Sequence, residues 1–68
     1  MNGREFIRRA RRYARRNGIE WHFDPRQGKG SHGTFHLGNR RTTVQHGEIK
    51  PETLFSMLRD LGINRRDF

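Results

Sequence analysis

The fold is decided by the stretch SHGTFHLGNRRTTVQ, residues 31–45, in which two short alternating runs flank a turn signal. In the first run Phe35 and Leu37 alternate with polar residues, which is the two-residue period of a strand with one buried face. The Gly-Asn pair that follows suits a tight reversal, and alternation resumes from Arg41 to Gln45. The stretch therefore predicts an antiparallel hairpin with strands at about residues 31–37 and 41–45.

Upstream of the hairpin, residues 19–24 also alternate and predict a first strand, so Trp21, Phe23 and Phe35 are all assigned to the core. Residues 3–17 instead place their apolar side chains at helical spacing, which predicts an amphipathic helix that Asn2 caps and Gly18 ends. The opposite face of that helix is basic and carries Arg4, Arg8, Arg9, Arg11, Arg12, Arg15 and Arg16.

Downstream, Pro51 suits the first turn of a second helix, which Gly62 ends. Its predicted apolar face consists of Leu54, Phe55, Leu58 and Leu61. The tail from 64 to 68 is expected to be loosely ordered. The order helix, three strands, helix predicts a two-layer α+β fold, a single domain over residues 1–68, in which both helices cover one face of a three-stranded antiparallel sheet.

The charge balance points to an anionic partner. The chain has 15 Lys and Arg against 7 Asp and Glu, a formal net charge of +8. Arginine, the commoner of the two cations, offers forked donors that suit phosphate, and a positive field speeds encounter with a polyanion. RNA or another nucleic acid is therefore the leading partner, although a basic helix face also serves solubility.

Several classes of protein and site are not expected. The chain has no Cys, so disulfides and thiol chemistry are excluded, and no apolar run approaches a membrane span. We therefore expect a cytoplasmic protein without a cofactor. The four His residues lack the spacing of a hydrolytic zinc motif, so no metal is predicted either. The Gly-Lys-Gly-Ser run at 28–31 is too short for a phosphate-binding P-loop.

One residue is a candidate for catalysis. If Phe35 faces the core, the parity of the strand points His32 outward. An outward imidazole can take or give a proton near neutral pH, as cleavage of RNA by its own 2′-hydroxyl requires. A lone exposed His is more often only a surface residue. The second proton-transfer group is open between His22, His36 and water.

The chain resembles the HicA family on three motifs. Gly30-Ser31-His32-Gly33-Thr34-Phe35 is similar to its second strand, and Thr43-Val44-Gln45-His46 to its third. The closing helix resembles the family's in Ile49-Lys50-Pro51-Glu52-Thr53-Leu54 and in Leu58-Arg59-Asp60-Leu61-Gly62-Ile63. The resemblance spans nearly the whole chain. Many relatives have a large polar residue where Gly33 stands and Pro where Gln45 stands.

The resemblance implies a fold like the double-stranded-RNA-binding domain, ribonuclease activity against mRNA with His32 as the catalytic residue, and a HicB-like antitoxin partner. The predicted RNA-binding residues are Arg8, Arg12, Arg15, Arg16, Lys29, Gly30 and Ser31. The alternatives are a non-catalytic RNA-binding module of the same fold and a pure protein-interaction domain.

Overall fold

In the computed structural model, which describes residues 1–25 and 32–68, three strands form one antiparallel sheet under two helices. The elements in chain order are α1 (Gly3–Asn17), β1 (Trp21–Asp24), β2 (His32–Leu37), β3 (Arg40–Gln45), α2 (Pro51–Leu61) and a 3₁₀ helix (Arg65–Asp67). The strand order is β1-β2-β3. This confirms the predicted α+β class and the α-β-β-β-α order of a double-stranded-RNA-binding domain.

Capping residues begin and end the helices where the sequence predicts. The Asn2 side chain accepts a hydrogen bond of 2.8 Å from the Glu5 backbone N–H, which caps α1. Gly18 and Gly62 end α1 and α2 in the left-handed conformation, at φ of 63° and 71°, where a glycine has no steric penalty.

Both helices lie on the same side of the sheet. The core contains Phe35, Leu37 and Val44, which share one parity of β2 and β3, together with buried residues of both helices. From α1 these are Phe6, Ala10 and Ala14, and from α2 Met57, Leu58 and Leu61. Ala10 and Ala14 are fully buried, so their small side chains bring α1 close to the strands. Neither α1 nor α2 covers the other face of the sheet.

The N-terminus fixes the direction of α1 over the sheet. Ile49 donates a backbone hydrogen bond of 2.7 Å to Met1, and Gly3 donates one of 3.0 Å to Gly47. At the opposite end of the sheet, Gly38 in the β2–β3 turn donates to the Glu20 carbonyl, just before β1. Helix α1 therefore starts beside the end of β3 and runs toward the β2–β3 turn.

Two aromatic assignments from the sequence are wrong. Trp21 is 37% exposed and Phe55 is 48% exposed, so neither belongs to the core. Trp21 begins an edge strand, and its ring stacks on Phe35 at 5.8 Å between centroids and lies under the Arg11 guanidinium at 5.9 Å. Phe55 lies outside the buried stripe of α2, which includes Met57 instead, and its ring packs under the Arg65 guanidinium at 4.8 Å.

The C-terminal tail is ordered, contrary to expectation. The Phe68 ring packs on Phe6 at 5.1 Å between centroids. Arg9 donates two hydrogen bonds, of 3.1 and 2.7 Å, to the main-chain oxygen of Phe68 and lies over its ring. Sequence periodicity did not reveal this contact, because it joins residues at opposite ends of the chain.

Candidate functional site

His32 is the first residue of β2, and its side chain is exposed. It is paired with Gln45 of β3 in the same register that pairs Phe35 with Thr42. Since neighbouring strand residues point to opposite faces and Phe35 is fully buried, His32 belongs to the sheet face that the helices leave open. The parity prediction for His32 is therefore confirmed, whereas its catalytic role stays a prediction.

The open face is a small grid of polar side chains. Its first row runs across the strands through His22, His36 and Arg41, the second through Asp24, Thr34 and Thr43, and the third through His32 and Gln45. The His22 and His36 rings stack at 5.8 Å between centroids. The imidazoles therefore occupy the first and third rows.

This arrangement separates His32 from the other histidines of the grid. His36 is four residues further along β2, a displacement of about 13 Å at the rise of a strand. One phosphodiester group cannot reach both imidazoles over that span. Gln45, Thr34 and Thr43 are the nearer polar side chains, and the Gln45 amide donates a hydrogen bond of 3.2 Å to the Glu48 carbonyl.

The predicted arginines lie on the other layer of the molecule. Arg8, Arg12 and Arg15 are exposed on the side of α1 that faces away from the sheet. Arg8 also approaches Glu5 at 4.0 Å. Because His32 is on the opposite surface of the sheet, the outer face of α1 and His32 do not form one continuous site. A phosphate held by these arginines lies away from a bond cut at His32.

Arg16 differs from the other three arginines. Its guanidinium donates a hydrogen bond of 2.9 Å to the main-chain oxygen of Asp67, so the tail holds it in place. Arg15 and Arg16 also lie near the C-terminal end of α1, about 17 Å along the helix axis from Arg4. The remaining predicted residues, Lys29, Gly30 and Ser31, lie outside the described residues.

A cavity that sequence reasoning missed lies between the start of α1 and the sheet. It has a volume of about 350 Å³, and its lining includes Arg4, Ile7, Phe23, Gly33, Val44 and Gln45. A side chain at Gly33 would fill part of this space, since a Cβ built there would come within 2.5 Å of the Phe23 ring. The glycine that departs from the resembling family thus lets Phe23 lie against β2.

Neither metal binding nor a membrane span has support in the described residues. Within residues 1–25 and 32–68, no three His, Asp or Glu side chains are grouped to hold a metal ion. In the same part of the chain, neither helix combines the length and apolar character needed to cross a membrane.

The family model described as HicA toxin of bacterial toxin–antitoxin matches residues 3–63, which include both helices, all three strands and His32. Neither the curated proteins nor the solved structures contain a significant match.

Proposed function

The chain belongs to the HicA toxin family, and on this premise we propose that it is an endoribonuclease that cleaves mRNA with His32 as the catalytic residue. As a member of this family it is the toxin of a toxin–antitoxin system, and an antitoxin is its partner. A HicB-like antitoxin and a cytoplasmic location belong to the same proposal, as does a single domain that includes all 68 residues.

The observation that carries the proposal is the exposed His32, on the sheet face that α1 and α2 do not cover and within the segment that matches the toxin family. Surface imidazoles serve as general bases and acids near neutral pH. Backbone strain and core packing do not explain a histidine here, because the position is exposed and lies in a regular strand.

The proposed chemistry uses the RNA's own nucleophile. His32 takes the proton from a ribose 2′-hydroxyl, and the 2′-oxygen attacks the adjacent phosphorus. The bond from phosphorus to the 5′-oxygen breaks, and that oxygen gains a proton, leaving a 2′,3′-cyclic phosphate on the other fragment. The separation of about 13 Å between His32 and His36 favours water over a second imidazole as the source of that proton.

The proposed role of the arginines is to bind phosphates of the RNA other than the phosphate that reacts. Arg8, Arg12 and Arg15 are exposed on one rigid helix and supply long-range attraction for a polyanion. Arg16, Lys29, Gly30 and Ser31 are part of the same proposal. Of the four arginines, Arg16 is the least available, because it binds the tail.

The experiment is cleavage of a defined mRNA by the purified protein beside its His32→Ala variant. Cleavage by the first and intact RNA with the second is the expected result. If both proteins bind the mRNA and neither cleaves it, the chain is a non-catalytic RNA-binding module and not a nuclease. Equal cleavage by the two proteins would show that His32 is not the catalytic residue.

A further inference from the structure

The cavity between α1 and the sheet and the contact between Arg11 and Trp21 both lie along one flank of α1 beside the edge strand β1, and we call this surface the α1–β1 cleft. Arg4, Ile7 and Arg11 line it from the helix, since their spacing of three and four residues puts them on one flank. Phe23 and Trp21 line it from the strand. The cavity of about 350 Å³ forms its end nearest β2, and the contact between Arg11 and Trp21 forms the other end.

The aromatic residues of this cleft have an unusual exposure for their position. Trp21 and Phe23 have the parity of the core, yet Trp21 is 37% exposed and Phe23 only partly buried. Helix α2 packs chiefly on β3 at the far side of the sheet, whereas α1 contacts both β1 and β3. The exposed indole is therefore a consequence of how the two helices divide the sheet between them.

The charged residues of the cleft favour a polyanion over an apolar partner. Arg11 lies over the Trp21 ring at 5.9 Å, and Arg4 borders the cavity beside Phe23. In the described ranges neither arginine forms an ion pair, whereas Arg8 and Arg9 both approach Glu5. Two guanidinium groups beside two aromatic rings are the elements of a single-strand site, in which phosphates bind cations and bases stack on rings.

Resting on the proposed ribonuclease function, we infer that the α1–β1 cleft binds single-stranded RNA, with a base stacked on Trp21 and phosphates held by Arg4 and Arg11. A duplex does not fit this chemistry, because its base faces are already stacked within the helix. The cavity is within the range of small-ligand pockets, about 300–1,000 Å³, and accepts a second planar base against Phe23.

This assignment also gives the RNA a route between the two layers. Gly33 borders the cavity, and His32 is the next residue of β2 on the opposite face. The cavity end of the cleft and His32 therefore lie at neighbouring residues of β2, on opposite faces of the sheet. The outer face of α1 then attracts RNA at long range, and the cleft fixes its path.

The test uses the single tryptophan of the chain as a probe. Emission of Trp21 is followed while a uridine hexamer carrying 2′-O-methyl groups is added, because that modification removes the nucleophile and leaves the RNA intact. Binding is measured in parallel by anisotropy of the labelled hexamer. We expect strong quenching by the single strand and little by the same hexamer paired with its complement.

Substitutions then separate stacking from charge. Trp21→Ala should weaken hexamer binding by about five- to a hundredfold, the usual effect of removing one stacking ring, and Trp21→Phe should restore most of it. Arg11→Gln should weaken hexamer binding and lower its salt dependence. Arg59→Gln is the control, because it removes the same charge from an exposed position on α2, and it should have a smaller effect on both quantities. Thermal melts of each variant exclude unfolding as the cause.

Each result decides between the proposals. Bound hexamer with unchanged Trp21 emission overturns the cleft assignment, as does equal quenching by the duplex. No hexamer binding from a preparation that still cuts mRNA also overturns it while the nuclease stands. Quenching of Trp21 emission by the hexamer without any cleavage of mRNA supports the cleft as an RNA site and contradicts the proposed nuclease activity. Quenching by an acidic peptide but not by RNA assigns the cleft to a protein partner.

Discussion

His32 and Gln45 face each other across the β2–β3 ladder, on the sheet surface that neither helix covers. The Gln45 amide is held by the Glu48 carbonyl at 3.2 Å. Within residues 1–25 and 32–68, by contrast, the His32 side chain forms no hydrogen bond and no ion pair. The imidazole is therefore free to meet an external group and adds little to the stability of the fold.

His32→Ala should abolish mRNA cleavage and toxicity in cells while the folded protein stays intact. A side chain exposed at the end of a strand contributes to the core only weakly, so the free energy of unfolding should change by less than about 0.5 kcal/mol. Urea unfolding and a cleavage assay on the same preparation measure both effects.

His22→Ala is the matched control for this prediction, since His22 is also exposed on the open face but lies two rows away. It should retain most of the cleavage rate. Unfolding of the His32 variant would contradict its assignment to the open face. Loss of cleavage in both variants would show that the whole grid, and not His32, supports the reaction.

Cleavage should persist in EDTA and should fail on a substrate with 2′-deoxyribose at the cut site. The proposed nucleophile is the 2′-hydroxyl, and the described residues offer no group of ligands for a metal ion. The fragment ends, read by mass spectrometry, should carry a 2′,3′-cyclic phosphate. Activity that EDTA abolishes and a divalent ion restores would contradict a metal-independent reaction.

RNA affinity should fall steeply with salt, and Arg12→Gln should lower the slope of log affinity against log salt by about 0.7, the value for one phosphate contact to a single strand. Arg12 is exposed on the outer face of α1. Arg16→Gln is the paired comparison, because the Arg16 guanidinium already binds the Asp67 oxygen and should contribute less. An RNA affinity that does not change with salt would contradict phosphate binding by these arginines. Equal decreases of the slope in the two variants would contradict the smaller contribution of Arg16.

Phe68→Ala should destabilise the fold by about 1–2 kcal/mol, since the ring packs on the fully buried Phe6 at 5.1 Å and lies under Arg9. Chemical denaturation at constant pH measures the change. Arg66→Ala is the control from the same segment, because Arg66 is exposed and should cost less than about 0.5 kcal/mol. Equal stability of the two variants would show that the docked tail contributes nothing.

Local physics explains what the sequence alone determined. The bounds of α1 and α2 followed from apolar periodicity and from Asn2, Gly18 and Gly62, which act on backbone groups within a turn or two of themselves. The exposure of His32 followed equally well, because strand parity reverses at every residue and the buried Phe35 fixes it.

Only the tertiary structure decided which surfaces meet. The exposure of Trp21 depends on α2 packing over β3 and leaving β1 at the edge, and the placement of Arg16 depends on the tail returning to α1. The separation of the α1 arginines from His32 arises from the same packing, since the helices cover one sheet face and His32 occupies the other. Such contacts join residues far apart in the chain, and no local period or cap encodes them.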